Sequence, residues 1–405
     1  MPSEAAHEKF ILIFTLSMPW KNYHREQFIR SIASEVEDKG GYVICMEPTI
    51  LSLFNLLKYP ERIIEWLKGN NNFRKDGPNI YVTHAKTFEH VLSSSRFKIL
   101  SFINRRLIKR QVNRLIKKID NTVKDFVWVL HRPELHFLIG YTGEKGAVYD
   151  CCDDHILTSD MKSLKVAGNL AREESLSKKS DFVITTSSKL FKRNKLSNNN
   201  TFIIENGHNF TEILIDKKVE NILRGIKKPI IGYIGIIRKW IDFDLLNYIL
   251  SENKELSFVF VGEIYKDSVE IFKELKLKYK NLYLTGRVKY NALPEVMNYF
   301  DVGIIPFKQN EFMESVNPNK FYEMLSRGVP IVSTNIGDLK EKYSDISKIS
   351  DTKEEFERNI KDFLAMDKTS LSELKARMRS LSGSFTWRDK ARYFYSLLNE
   401  HILNK

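Results

Sequence analysis

Lys320 and Glu323 stand one helical turn apart in the stretch 317–334, NPNKFYEMLSRGVPIVST. Pro318 opens this stretch, Gly328 and Pro330 close it, and Ile331-Val332 then runs apolar, as a buried strand would. A helix that only filled a core would need neither charge. A helix N-terminus, however, offers unpaired N–H groups and a partial positive charge, both suited to phosphate. Lys320 in the first turn adds a full charge, and the Glu323 carboxylate can accept two hydroxyls from a ribose. Phosphate and ribose held from one helical turn describe a nucleotide diphosphate. The same spacing also fits a solvated i,i+3 ion pair worth about 0.2–0.5 kcal/mol, so these two residues alone leave both readings open.

A second constellation lies at 96–119, RFKILSFINRRLIKRQVNRLIKKI. Ile99, Ile103, Ile108, Val112, Leu115 and Ile119 recur at near-helical spacing. Around them lie Arg105, Arg106, Lys109, Arg110, Arg114, Lys117 and Lys118, with no acidic residue in the stretch. This is the pattern of a cationic amphipathic helix. It is expected to lie on an anionic leaflet, where a basic residue near the surface contributes about 1 kcal/mol. The competing expectation is a packed helix with a solvated basic face. The charge balance points the same way. Residues 1–205 hold 32 Lys+Arg against 23 Asp+Glu, net +9, and the remainder holds 32 against 28, net +4, for the total of +13. An anionic partner is therefore expected in the first half.

The elements that must position these residues alternate between β-branched runs and helical patterns, which predicts α/β units around parallel sheets. Strands are expected at 10–16, 42–46, 79–83, 126–130, 146–150, 181–185 and 201–205, with helical patterns between them such as 23–39 and 168–179. A second series is expected at 230–236, 257–262, 281–285, 301–305 and 329–333, after a connection over 206–229. The fold class is α/β, two doubly wound Rossmann-like domains facing a cleft where the C-terminal strand ends bind ligands. With 405 residues, 42% hydrophobic and 12% aromatic, the chain can fill two cores. The apolar run Phe10 to Met18 is too short to span a bilayer and lacks a cleavage site, so it reads as a first strand. Cys45, Cys151 and Cys152 show neither disulfide nor metal-ligand spacing, which fits a reducing cytoplasm.

Several short motifs follow one another in a fixed order. In the first half they are Ser17-Met18-Pro19-Trp20, Val148-Tyr149-Asp150 with Asp153-Asp154, Thr185-Thr186-Ser187 and Asn206-Gly207. The second half has Gly232-Tyr233-Ile234-Gly235, Val261-Gly262-Glu263, Leu284-Thr285-Gly286-Arg287-Val288 and Asp301 to Phe307, then the Pro318-x-Lys320-x-x-Glu323 helix and Phe385-Thr386-Trp387. Through these residues the chain resembles GT-B glycosyltransferases, particularly family 4-like enzymes of bacterial polysaccharide assembly. The resemblance implies an N-terminal acceptor-binding domain at 1–205, a nucleotide-sugar donor domain at 206–384, and a C-terminal helix at 385–405 crossing back to the first domain. It further implies donor binding by Gly235, Arg238, Gly286, Arg287, Val288, Pro318, Lys320 and Glu323. Gly235 would let the backbone approach a diphosphate, the 286–288 backbone would read the base, and Glu323 would hold the ribose. Where many retaining members carry a second glutamate eight residues earlier, this chain has Ser315, with Glu314 and Glu311 out of register.

The expected function is hexosyl transfer from a nucleotide diphosphate donor to a lipid-linked or surface polysaccharide acceptor at the cytoplasmic membrane face. The nucleotide most frequent in such enzymes, UDP, is the expected one. The acceptor proton needs a base, and the segment DCCDDH at 150–155 follows a strand, so Asp153 and Asp154 are candidates, with helix capping as the alternative role. His131 and Glu134 in HRPELH come next, whereas His24 and His208 are expected to be ordinary histidines. No cofactor and no metal are expected, since no Asp-x-Asp ends a strand in the second half. A nucleotide-sugar epimerase would leave the basic helix unexplained. A nucleic-acid binder rests on charge alone, so no nucleic acid is expected as a partner. A dinucleotide oxidoreductase is disfavoured because TLSMPWKNYHREQF, not G-x-G-x-x-G, follows the first strand.

Overall fold

All six residues of β1 (Phe10–Thr15) are buried, as a strand covered on both sides must be. A computed structural model describes residues 8–51, 73–88, 98–157, 163–210 and 217–405. Arg96 and Phe97, the start of the expected basic helix, and 211–216 of the expected connection lie outside these. The chain divides into two compact units, Met1–Glu205 with Trp387–Lys405, and Asn206–Thr386.

In the first unit β1 is joined by β2 (Gly41–Leu51), β3 (Arg74–Lys75), β4 (Ile80–Phe88), β5 (Asp125–Leu130), β6 (Gly146–Cys151), β7 (Phe182–Thr185) and β8 (Thr201–Ile203). The sheet order is β3-β4-β2-β1-β5-β6-β7-β8, parallel except for the β3–β4 pair. Its helices are α1 (Glu26–Glu37), α2 (Lys98–Ile119), α3 (Ser163–Lys179) and α4 (Ser188–Lys195). The two-residue period of β1 divides its side chains between two cores. Phe10, Leu12 and Phe14 join Phe28 and Ile32 of α1 on one face. Ile11 and Ile13 join Ile108, Val112 and Leu115 of α2 on the other.

The second unit runs β9 (Ile230–Ile234), β10 (Ser257–Val261), β11 (Leu282–Gly286), β12 (Val302–Ile305), β13 (Ile331–Thr334) and β14 (Lys348–Ser350), all parallel, in the order β11-β10-β9-β12-β13-β14. Its helices are α5 (Lys217–Arg224), α6 (Phe243–Glu252), α7 (Val269–Lys278), α8 (Leu293–Met297), α9 (Asn319–Arg327), α10 (Leu339–Tyr343), α11 (Lys353–Ala365) and α12 (Lys368–Ser382). A last helix, α13 (Trp387–Leu398), belongs to the first unit, where Trp387 and Phe394 pack on Phe28 with ring centroids 5.4 and 5.9 Å away.

Strand order reverses between β1 and β5 in the first sheet and between β9 and β12 in the second. At such switch points the flanking connections leave on opposite faces, which opens a crevice at the C-terminal strand ends. Those ends carry Thr15 and His131 in one unit, and Gly235 and Phe307 in the other. Among the described residues no helix is long and apolar enough to cross a membrane.

Candidate active site

Gly235 ends β9 with φ +115°, a conformation that L side chains rarely adopt. Its N–H donates to Val261 O at 2.9 Å, and a Cβ added at Gly262 would overlap the Gly235 carbonyl oxygen. Two neighbouring strand ends thus meet backbone to backbone. A Cβ on Gly235 would lie 3.5 Å from Lys320 Cε and 3.7 Å from Nζ, so the lysine side chain reaches over this glycine. Its ammonium also lies 4.4 Å from the Phe307 ring centroid and 5.2 Å from that of Tyr233. Cation–π attraction of about 0.5–2 kcal/mol at such distances helps hold it at the β9–β12 switch point.

The helix that delivers Lys320 starts where Pro318 (φ −79°, ψ 120°) leaves the extended region, and it stops at Gly328 in the left-handed region. Its N-cap residue, Pro318, supplies no side-chain cap. The turn before it is pinned by two buried asparagines. Asn206 N–H donates to Asn317 Oδ1 at 2.9 Å, Asn206 Nδ2 donates to Asn317 O at 2.6 Å, and Asn317 Nδ2 donates to Tyr322 OH at 2.8 Å. Apolar Phe321, Tyr322, Met324 and Leu325 fill the core and leave Lys320 and Glu323 on the other side of the helix. Burial disfavours both charges. It pushes the Lys320 pKa below its ordinary value and the Glu323 pKa above its own, and the opposite charge of each partner only partly offsets this.

Arg238 is already engaged. Its guanidinium bonds Asp267 at 3.0 and 3.1 Å and lies over the Tyr265 and Trp240 rings at 4.1 and 5.0 Å. Gly286 has φ +79° with nothing within 4 Å of an added Cβ, Arg287 is exposed, and Val288 packs against the core. Ser315 is buried and donates to Phe312 O at 2.7 Å, so no carboxylate occupies that position.

The first unit collects a polar cluster at its own switch point. His131 is buried at the end of β5, with Nδ1 3.5 Å from Thr15 Oγ1 and no hydrogen-bond partner for Nε2 among the described residues. Burial pushes its pKa well below 6.5, with the charges of His155 and Arg132 adding to the effect, so the ring is neutral at physiological pH. Asp150, buried 3.3 Å from Arg25 Nε, is pushed up by desolvation against the pull of that arginine. The four candidate bases separate clearly. Asp154 accepts from Arg193 Nη1 at 2.7 Å and from the N–H groups of Ile156 and Leu157 at 3.1 and 3.2 Å. Three hydrogen bonds engage this carboxylate, which is the capping role set beside the expectation of a base. Glu134 is likewise tied to Arg132 at 2.9 and 3.2 Å, and this pairing lowers its pKa despite burial. Asp153, partly exposed, and His131 remain. His24, expected to be ordinary, sits 3.4 Å from Asp153 Oδ2. His208 holds Ser382 O through Nε2 at 3.1 Å, a structural contact.

Helix α2 departs from the expectation in one respect. Ile108, Val112 and Leu115 are in the core, so most of the apolar stripe faces the sheet rather than a membrane. What remains outside is its first turns, with Ile99 74%, Phe102 51% and Ile103 39% exposed. Arg106, Lys109, Arg110, Arg114, Lys117 and Lys118 are exposed, while Arg105 donates to Phe137 O at 2.6 Å and lies over Tyr141 at 3.4 Å.

Two parallel-sheet units with these topologies define the GT-B fold, and solved structures bear this out. Sucrose-phosphate synthase from Thermosynechococcus elongatus superposes with a TM-score of 0.73 at 12% identity, covering 97% of this chain and 99% of that one. Anabaena HepE, solved with UDP and glucose, gives 0.67 at 13% identity over 97% and 100%. In sequence, residues 228–365 match the family model described as Glycosyl transferases group 1. Bacillus subtilis TuaH, provisionally named a teichuronic acid biosynthesis glycosyltransferase, is 30% identical over 135 residues. That match spans 33% of this chain and 34% of TuaH. The resemblance to GT-B glycosyltransferases seen in the motifs is borne out.

The two aspartates should part in stability. Asp154→Asn removes one partner of a buried ion pair and should cost about 3 kcal/mol or more in chemical unfolding. Asp153→Asn, at a partly exposed position, should stay within about 0.5 kcal/mol of the parent. Equal losses would contradict the division of roles.

Proposed function

We propose that this protein is a glycosyltransferase that moves a sugar from a UDP-sugar to a lipid-linked or surface polysaccharide acceptor at the cytoplasmic face of the membrane. The observation that carries the reading is the Lys320 ammonium at the β9–β12 switch point, with Glu323 one turn along a helix that starts at Pro318. Lys320 and the first-turn N–H groups neutralise the diphosphate, Glu323 takes the ribose hydroxyls, and the 286–288 backbone borders the base. UDP is favoured by the nucleotide in the HepE complex, and a polymer acceptor by the name of TuaH. Asp153 or neutral His131 in the first unit takes the acceptor proton. No metal enters this chemistry.

Calorimetric titration with UDP tests the donor reading. Raising the pH through the lowered Lys320 pKa discharges the ammonium, and lowering it through the raised Glu323 pKa protonates the carboxylate. Affinity should therefore peak between the two, with both limbs nearer neutrality than the ordinary 10.5 and 4.5. Glu323→Gln should remove the acid limb and weaken binding by roughly 1–3 kcal/mol, and Lys320→Ala should remove the alkaline limb. Unchanged affinity in both variants rejects the site.

For the proton acceptor, Asp153→Asn and His131→Ala separate the candidates. Losing the true base should lower turnover roughly 10²–10⁴-fold with UDP binding intact. Near-normal turnover in both would place the base elsewhere.

Membrane association rests on the exposed basic residues of α2 beside exposed Ile99, Phe102 and Ile103. The potential of anionic lipid decays over about 8 Å at physiological salt. Sedimentation with phosphatidylserine vesicles should thus weaken as salt rises. Replacing Arg106, Lys109, Arg110 and Arg114 by Gln should release the protein while UDP binding persists. Equal binding by parent and variant, or none by the parent, would leave α2 a packing helix with a solvated face.

A further inference from the structure

The loop before α1 and the loop after β6 bring together three side chains of different chemistry. His24 Nε2 lies 3.5 Å from Cys152 Sγ and 3.4 Å from Asp153 Oδ2, and the three atoms are all within 4.8 Å of one another. Hydrogen bonding accounts poorly for this arrangement. A single imidazole nitrogen either carries a hydrogen or offers one lone pair, so it cannot donate to the carboxylate and accept from the thiol together. The 3.4 Å separation also exceeds the usual N–H···O range of about 2.7–3.2 Å.

From this convergence we propose that His24, Cys152 and Asp153 form a binding site for a zinc-type transition-metal ion. Zinc binds sulfur at about 2.3 Å, imidazole nitrogen at about 2.0–2.1 Å and carboxylate oxygen at about 2.0–2.2 Å. At tetrahedral angles these bonds set the N···S edge at about 3.6 Å and the N···O edge at about 3.4 Å, and both match the separations here. Thiolate, imidazole and carboxylate together select zinc over calcium or magnesium, which want oxygen alone. Thiolate and carboxylate would neutralise the dication, and three protein ligands leave a fourth position for water. Cys152 is buried and fixes the inner wall, whereas His24 and Asp153 are partly exposed and give an ion access. The neighbouring Arg25 has Nε 3.3 Å from Asp150 and lies over the Phe28 ring at 4.5 Å, so part of its charge is met by that carboxylate. Bound zinc would take the Asp153 oxygen, and on the proposed role of Asp153 as base it would inhibit transfer. That consequence rests on the proposed function, but the site does not.

Titration of the chelator-treated full chain with Co²⁺ reads the site without any assay of activity. One equivalent should give a thiolate-to-cobalt charge-transfer band with tetrahedral d–d absorption, and Zn²⁺ should abolish both by displacement. Cys152→Ala should remove the charge-transfer band. His24→Ala should weaken Co²⁺ binding at least about tenfold, since even outer-sphere partners matter on that scale. Cys45→Ala, whose thiol is buried in the core away from this group, should behave as the parent. Absence of the thiolate band in the parent, or its persistence in folded Cys152→Ala, overturns the assignment. Should Cys152→Ala fail to fold, unchanged binding by His24→Ala does the same.

Discussion

The positive φ of Gly235 and its backbone contact with Gly262 set the terms for the switch point of the second unit. Only glycine relieves both the conformation at 235 and the overlap at 262. With those two side chains absent, the ends of β9 and β10 draw together and Lys320 can lie over Gly235 toward Phe307. The rest of the region serves that placement. Asn206 and Asn317 lock the turn, Pro318 starts the helix, and the inward aromatic side chains at 321 and 322 fix its rotation.

Both units place polar groups at a switch point, yet burial there has opposite uses. In the second unit it disfavours the charges of Lys320 and Glu323 together. In the first unit it keeps His131 neutral, while arginines claim Asp154 and Glu134. A carboxylate near a strand end is therefore no guide by itself. What decides is whether its lone pairs are already taken.

The strand series and the Pro-x-Lys-x-x-Glu helix were legible because each is local. Alternating apolar runs report sheets, and a helix flanked by Pro318 and Gly328 reports its own ends. Other features were not. The short β3 and β14 carry too few residues for a periodic signal. Val329 and Pro330, expected to begin a strand, instead leave a left-handed glycine, so β13 starts at Ile331. The partners of Arg238 and Asp154, Asp267 and Arg193, lie 29 and 39 residues away, beyond any local pattern. His24 was least legible of all, standing 128 residues from Cys152. One signal did exist: it follows the first strand, and loops after parallel strands gather at one end of the sheet.

Helix α2 shows why amphipathicity in a sequence does not name its partner. An apolar stripe beside cations satisfies a membrane surface and a protein core equally well, because both are apolar media next to water. The structure divides the stripe. Ile108, Val112 and Leu115 cover the first sheet, while Ile99, Phe102 and Ile103 stay outside at the same end of the helix as Arg106. Arg106 itself lies over the Phe102 ring at 4.3 Å. An aromatic residue left in water beneath a cation gains little from the protein. Against an anionic leaflet the same pair would gain from both its parts, the ring by burial and the guanidinium by phosphate contact. The residues that the fold does not bury are thus the ones that carry the argument for a surface, and they sit in the unit that holds most of the excess positive charge.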